Sequence, residues 1–265
     1  EKPLSNDVEE ARQMVTRATE KDVYLGCNLN HYFTPTAELA KKYQQDGGIG
    51  ELVYCLHKMG FSGGESKYAP STSTRVKDWP YFHLKAFLSH PFSVMRHFCG
   101  DITHVQAFVD RPGFRKRASD VMLSIAGINV RFANDCVGYM LSQRGDAPYG
   151  LGGWWSLEVA GSRGTFCIEN CIEKLTYWSA EKPDEPVVVN TGIADFSETF
   201  PRRIHAFLED VTNQVHKDQL RASGRDALAA LEYTWAVIES YEQGGATVRP
   251  HPLPPIHGDP RVLLD

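Results

Sequence analysis

Two candidate residues, Lys2 and His90, each combine a reactive side chain with a proline that follows directly. Lys2 precedes Pro3, and His90 precedes Pro91. A residue before proline avoids the helical region, so Lys2 is predicted to be extended, at the end of a strand. Proline is common in the first turn of a helix, so His90 is predicted to cap one. A lysine ammonium can stabilise a developing alkoxide, and a neutral imidazole can accept a hydroxyl proton.

The predicted position of His90 at the amino end of a helix favours its neutral form, because the helix dipole is positive there. His90 also belongs to a series spaced by seven residues, with His83, His97 and His104. Seven helical residues advance about 10.5 Å, whereas two nitrogens bound to one zinc ion lie within about 4 Å of each other. The series therefore predicts no metal site.

The elements that must position these residues follow from the hydrophobic pattern, which predicts an α/β chain with an α+β body. A short strand end at Lys2, a helix at 7–20 and an apolar run at 23–28 are typical of the end of one strand, a crossover helix and the next strand of a parallel sheet. A strand-rich region begins with the segment at 50–58, and about six strands follow it. They are predicted at 103–110, 120–132, 135–143, 154–160, 164–169 and 172–178, with helices at 36–45, 80–99, 202–215 and 224–243. This order predicts a large open, mainly antiparallel sheet covered by helices on one face.

Composition excludes several classes of function. The chain has 265 residues, a net charge of −5 and a pI near 6.1, which give no reason to expect a nucleic-acid or membrane partner. The cysteines are scattered without a C-x-x-C pair, which favours buried free thiols in a reducing compartment. They lie at positions 27, 55, 99, 136, 167 and 171. We expect a cytoplasmic protein.

Several sequence segments, taken in order, resemble one known family. Glu1-Lys2-Pro3 is followed by Asn28-Leu29-Asn30-His31-Tyr32-Phe33-Thr34-Pro35, and matching pieces recur at 50–52, 101–105, 157–165 and 223–228. Together they resemble the sugar and polyol dehydrogenases of the glucose–fructose oxidoreductase, inositol dehydrogenase and rhizopine-catabolism protein family (Gfo/Idh/MocA). The resemblance covers nearly the whole chain. It implies that residues 1–35 are the carboxyl-terminal remnant of a dinucleotide-binding Rossmann domain whose main part is absent here. Residues 36–265 would then form the substrate-binding and oligomerisation domain.

The resemblance also implies roles for individual residues. Lys2 would polarise a substrate hydroxyl and contact the nicotinamide ribose, and His90 would be the general base. Pro3, Asn28 and Trp79 would lie beside the cofactor, NAD or NADP. No glycine stretch of the chain spells G-x-G-x-x-G, the motif that holds the pyrophosphate. We therefore expect weak nucleotide binding by this chain alone.

The substrate side of the predicted site has two further features. Trp154 and Trp155 follow a glycine run and could stack on a sugar, or one ring could pack inward and the other outward. Many members of the family have aspartates where this chain has Ala86 and Ser93, and often arginine where it has Tyr32. Lys85, His83 or Tyr81 could take the place of the missing aspartate near His90, and the sequence does not select one of them.

Three functions stay open from the sequence. The first is an NAD(P)-dependent oxidoreductase that moves hydride between nicotinamide and a secondary hydroxyl of a sugar, inositol or related polyol. The second is a non-catalytic sugar-binding or assembly module of the same fold, and the third is a lyase-type relative that uses transient oxidation. The apolar runs at 121–126 and 136–141 place apolar residues on both alternations of their strands. They predict a homodimer or homotetramer joined through the open sheet face.

Overall fold

The structure is a computed structural model that describes residues 1–60, 80–148, 150–193 and 195–254. The predicted loop at 62–77, Trp79 and the tail beyond residue 254 lie outside the described residues. The helices are α1 (Val8–Glu20), α2 (Pro35–Gln45), α3 (Phe82–Phe87), α4 (Ser89–Cys99), α5 (Gly113–Arg117), α6 (Thr199–Thr212) and α7 (Gly224–Glu242). The strands are β1 (Leu52–Gly60), β2 (Ile102–Asp110), β3 (Ile125–Phe132), β4 (Val137–Gln143), β5 (Trp155–Gly161), β6 (Gly164–Glu169), β7 (Lys174–Ser179) and β8 (Lys182–Asn190).

These strands form one sheet in the order β2-β3-β4-β1-β5-β6-β7-β8. Only β1 and β4 pair in parallel, and every other neighbouring pair is antiparallel. The predicted open, mainly antiparallel sheet is confirmed, but it has eight strands where about six were expected. The prediction missed β8, because Pro183, Pro186 and the charged residues around them are typical of a loop. Proline lacks the N–H that a central strand must donate, and it is tolerated in β8 because this strand lies at the sheet edge.

The helices cover one face of the sheet, as predicted. Helix α7 packs on β2, where Ser240 Oγ accepts a hydrogen bond from the backbone N–H of Ala107. Helix α2 packs on β6 and β7, and the ring of Tyr43 stacks on that of Tyr177 with centroids 4.2 Å apart. Helix α4 packs on β1 between them, and its Phe92 is fully buried. The residues of β1 and β5 that point toward the helices therefore border the core and the candidate site.

The predicted helix at 80–99 is two helices that meet at Leu88. Pro91 is the reason for the break, because proline has no N–H to donate to the carbonyl of Phe87 and its ring crowds that carbonyl. Leu88 keeps helical dihedral angles, so α4 begins at Ser89 without an extended cap residue. His90 is therefore not the helix cap that the sequence predicted. It lies in the first turn of α4.

The amino-terminal segment contains the predicted helix, but its flanking strands do not form in the described chain. Residues 23–28 make one isolated bridge, between Gly26 and Ser223, and residues 1–3 pair with no strand. The segment is held by the packing of α1 on α7 and by hydrogen bonds. Cys27 Sγ donates to the carbonyl of Glu1 at 3.1 Å, and Arg203 Nε donates to the carbonyl of Cys27 at 2.9 Å. The Lys2–Pro3 peptide bond is cis.

All six cysteines are free thiols, and all but Cys167 are buried, in agreement with the sequence analysis. No helix in the described ranges is both long and apolar enough to cross a membrane.

Candidate functional site

A cavity of about 380 Å³ opens between the amino-terminal segment, the start of α4 and the inner face of β1. Its polar side chains are those of Lys2, His31 and His90. Its apolar side chains are those of Met59, Phe87, Trp154 and Phe196. The two residues predicted to do chemistry, 88 positions apart in the sequence, thus border the same cavity.

Lys2 is held at the cavity by the break between α3 and α4. Its Nζ donates a hydrogen bond to the carbonyl of Ala86 at 2.6 Å and lies 5.2 Å from the centre of the Phe87 ring. Within the described residues, no carboxylate lies within ion-pair distance of this ammonium. Burial lowers the pKa of Lys2, although Glu1 and Cys27 act in the opposite direction. A cation with two unused N–H groups is therefore available to a ligand in the cavity.

His90 borders the same cavity with a neutral ring. Its Nδ1 is sealed from solvent and has no hydrogen-bond partner in the described part of the chain. Burial, and secondarily the charge of Lys2, hold the pKa of His90 well below its usual value of 6.5. Since Nδ1 is enclosed, Nε2 is the nitrogen that can meet a ligand. The ring is a neutral proton acceptor or donor at pH 7.

His31 is the third polar residue of the cavity, and the sequence analysis did not identify it as a site residue. Its ring stacks on that of His90 with centroids 3.9 Å apart and planes at 2°. Its Nδ1 accepts a hydrogen bond from Trp155 Nε1 at 3.0 Å. Burial, followed by the effects of His90, His57 and Lys2, holds the pKa of His31 well below 6.5. Two facing imidazoles this close share their surroundings, so the protonation of one affects the other.

None of the three substitutes considered for the missing aspartate borders the cavity. His83 is buried and pairs through Nε2 with Ser142 Oγ at 3.1 Å. Tyr81 donates to Glu242 at 2.7 Å, and Lys85 Nζ lies 4.0 Å from the centre of the Trp235 ring. Ala86, where an aspartate was expected from the resemblance, accepts the hydrogen bond of Lys2 through its carbonyl. The ring of His90 stacks on that of His31.

The two adjacent tryptophans point in different directions, one toward the cavity and one into the core, which is the second of the two expectations. Trp154 borders the cavity, whereas Trp155 is fully buried behind His31 and does not border it. The turn before them requires glycine, because Gly153 has a φ of +73° and a Cβ there would collide with Asn170. The side chain of Asn170 in turn accepts a hydrogen bond from the backbone N–H of Trp154 at 3.2 Å. The turn thus presents one ring to the cavity and sends the other into the core.

The residues predicted to contact the cofactor are placed only in part. Pro3 follows Lys2, and Trp79 lies outside the described residues. Asn28 adjoins the same segment, and its buried Oδ1 has no hydrogen-bond partner in the described chain. An unpaired buried acceptor suits a hydroxyl or amide donor of a ligand. Among the described residues, no group of three or more His, Cys, Asp or Glu side chains is arranged to hold a metal ion.

Comparison with solved structures identifies proteins of the same fold. An NAD-binding oxidoreductase from Klebsiella pneumoniae superposes with a TM-score of 0.80 at 18% identity, over 95% of this chain and 73% of that protein. Levoglucosan dehydrogenase in complex with NADH and levoglucosan gives 0.77 at 20% identity, over 94% and 72%. A protein of Sinorhizobium meliloti 1021, provisionally assigned as a myo-inositol dehydrogenase, gives 0.71 at 19%, over 94% and 72%.

The chain shares the fold of these oxidoreductases. No protein-family model matches the chain, and no curated protein matches its sequence. In this chain β1 and β5 are neighbouring strands of the sheet, and Met59 of β1 borders the cavity. A shared fold does not determine a shared reaction, so the chemistry depends on the residues of the cavity.

Proposed function

We propose that this chain carries the substrate site of an NAD(P)-dependent oxidoreductase that moves hydride between nicotinamide and a secondary hydroxyl of a sugar, inositol or related polyol. The observation that carries the proposal is the convergence of an unpaired ammonium, Lys2, and a neutral imidazole, His90, on one small cavity. Structural neighbours that include levoglucosan and myo-inositol dehydrogenases support the substrate class.

The cavity residues suit the oxidation of a secondary alcohol. Lys2 Nζ donates a hydrogen bond to the hydroxyl oxygen and stabilises the negative charge that grows on it. His90 Nε2 accepts the hydroxyl proton, so that the carbon–oxygen bond becomes a carbonyl when hydride leaves the carbon. The apolar side chains of Phe87, Trp154 and Phe196 exclude water and offer flat surfaces to the C–H faces of a sugar.

The cofactor is NAD or NADP, and the chain offers residues that fit part of it. Lys2, Pro3 and Asn28 lie on the segment beside the cavity, and the unpaired Oδ1 of Asn28 is an acceptor for a ribose hydroxyl or a carboxamide N–H. When bound, the nicotinamide ring supplies the hydride acceptor. We assign residues 1–35 to a dinucleotide-binding domain and residues 36–265 to the substrate and assembly domain.

A non-catalytic sugar-binding module is the second candidate, and one observation favours it. Because Ala86 stands where an aspartate would orient the base, Nδ1 of His90 has no partner in the described chain. A base whose second nitrogen is unpaired is less firmly oriented and less basic. Binding of a polyol without turnover would fit this arrangement.

The test is an assay of the complete gene product that contains this chain, with NAD or NADP and a panel that includes levoglucosan, sorbose and myo-inositol. Formation of reduced nicotinamide with at least one compound is expected. Binding of a polyol without nicotinamide reduction would favour the second candidate. Neither binding nor turnover across the panel would contradict the proposed substrate class.

Assembly is a separate part of the proposal. The sheet face opposite the helices exposes apolar side chains of the neighbouring strands β1 and β4, namely Leu56, Val137 and Tyr139. A face of this kind suits packing against its copy across a two-fold axis, in a homodimer or a homotetramer. Light scattering should give a mass of two or four chains, and Leu56→Lys should lower it. Met14→Lys, on the exposed side of α1, is the matched control and should leave the mass unchanged.

A further inference from the structure

The hydrogen bond between Trp155 and His31 determines where the His31 ring carries its proton. An indole N–H can only donate, so Nδ1 of His31 must present a lone pair to it. In a neutral imidazole the proton then resides on Nε2. Adding a second proton at Nδ1 would set two N–H groups against each other in a buried position, since His31 is 3% exposed.

The surroundings of the ring act in the same direction. The titratable groups that act on His31 are Lys2 from the amino-terminal segment, His90 from α4 and His57 from β1. The other rings against it are Trp155 from β5 and Phe196 from the turn before α6, and neither carries charge. Each titratable neighbour is positive when charged, so each disfavours a positive His31.

The free nitrogen of His31 is available to a ligand. Nε2 makes no hydrogen bond within the described residues and is not sealed from solvent, and the ring borders the cavity with Lys2 and His90. We infer that His31 is a permanently neutral N–H donor that binds a substrate oxygen in this cavity and so serves as a further catalytic residue. This inference rests on the proposed function for the identity of the substrate.

The stack with His90 gives the donor a second effect. When His90 accepts the hydroxyl proton it becomes a cation 3.9 Å from the face of the His31 ring. A neutral aromatic face attracts a cation, whereas a second imidazolium would repel it. The pair therefore holds one added proton, and it holds that proton on His90. Lys2 and His31 both donate to the substrate, and His90 is the acceptor.

The tautomer is tested first, without any assay of activity. Long-range proton–nitrogen spectra of the 265-residue chain with labelled histidine should show His31 with a bare Nδ1 and a protonated Nε2. This pattern should persist from about pH 6 to about pH 8, where an ordinary histidine titrates. His31→Gln assigns the signals by their loss. A His31 protonated on Nδ1, or one that titrates near its usual pKa, would overturn the inference.

The donor role is tested by kinetics of the complete gene product on the best compound of the panel. His31→Leu should lower kcat/KM by about 10- to 100-fold, the range expected for a lost hydrogen bond to a charged oxygen. His31→Gln keeps an N–H donor and should recover most of that loss. His57→Leu is the matched control, because His57 packs on the same Trp155 with centroids 4.7 Å apart but does not border the cavity. It should change kcat/KM by less than about twofold.

The possible results separate the inference from the proposed function. If His31→Gln is as slow as His31→Leu, or if His57→Leu is equally slow, the ring of His31 only packs and the inference is wrong. If the unmodified protein oxidises no polyol, the proposed function fails. In that case the spectra still decide whether His31 is the neutral donor.

Discussion

Helix α4 carries a histidine near each end, and two adjacent residues stack on them. His31 stacks on His90 at the amino end, with centroids 3.9 Å apart, and Tyr32 stacks on His97 at the carboxyl end, with centroids 4.7 Å apart. Burial lowers the pKa of both α4 histidines, that of His97 to about 3. The carboxyl end even has the larger cavity, about 680 Å³ against about 380 Å³. Cavity size and a stacked imidazole therefore do not distinguish the two ends.

The two ends differ in how their cations are paired. At the carboxyl end, Arg96 forms ion pairs with Asp101 and Asp226. Lys41 has no carboxylate partner among the described residues, but it donates to both the His97 carbonyl and Gln44. At the amino end, Lys2 donates to one carbonyl, and no carboxylate of the described residues neutralises it. Lys2 therefore keeps two unused N–H groups for a ligand, whereas Lys41 keeps one and Arg96 is neutralised by carboxylates. We therefore place the chemistry at the amino end.

The largest expected effect is on turnover. Lys2→Ala in the complete gene product should lower kcat by more than about tenfold, because the charge that stabilises the developing alkoxide is lost. Lys41→Ala removes a comparably buried ammonium at the other end of α4 and should leave kcat within about twofold. Steady-state kinetics on one polyol compares the two. Equal losses would remove the distinction between the ends.

The histidines give the next comparison. His90→Ala should lower kcat/KM by about tenfold or more, and His97→Ala should have little effect. Only the neutral form of His90 accepts a proton, and its pKa is lowered, so kcat/KM should be level at pH 7 and fall only as pH drops below 6.5. This places the pH dependence at more acid values than an unperturbed histidine would give. A pH–rate profile unchanged by His90→Ala would assign the base elsewhere.

The free energy of unfolding should depend more on the carboxyl end of α4 than on its amino end. Arg96→Met leaves Asp226, 28% exposed, beside a methionine, and should lower the free energy of unfolding by about 2 kcal/mol. Lys2→Met removes a cation that burial disfavours and leaves no charge unpaired, so the change should stay below about 1 kcal/mol. Urea unfolding at pH 7 measures both. A larger loss for Lys2→Met than for Arg96→Met would mean that the amino end is the structural one.

The smallest effect concerns a histidine that belongs to neither end. Both ring nitrogens of His57 are buried without partners, and burial lowers its pKa to about 3. In the unfolded chain His57 gains a proton below about pH 6.5, whereas in the folded chain it does not. The free energy of unfolding is therefore fully present above about pH 6.5 and declines as the pH falls. His57→Leu should remove about 1.4 kcal/mol of that decline between pH 7.5 and pH 5.5. Urea midpoints at the two pH values, compared with the unmodified chain, provide the check.

The sequence predicted the parts of the fold whose signals are local. The predicted bounds of α2, α7 and β4 lie within two residues of those observed, whereas β3 begins at Ile125 and not at 120. Lys2 and His90 were singled out by the resemblance to a known family together with the proline that follows each, and both border the cavity. The edge strand β8 was missed, since its charges and prolines are tolerated only by its position in the sheet.

The rest of the site depends on contacts between distant residues. His31 was quoted only as part of a segment, and its importance arises from a stack with a residue 59 positions away and a hydrogen bond to one 124 positions away. Neither contact has a periodicity or spacing to reveal it. The one available signal was the concentration of polar and aromatic residues at 30–33, in a turn where buried rings need partners.

The central claim, that hydride leaves a polyol carbon in the Lys2–His90 cavity, is tested most directly by following the hydrogen atom itself. The complete gene product is incubated with NAD or NADP and with the compound it oxidises best, deuterated at every carbon that bears a hydroxyl. We predict that one deuterium per turnover appears on the nicotinamide ring and that Lys2→Ala slows its appearance. Deuterium returned to the product, as in a lyase-type reaction, or released to water would contradict the account.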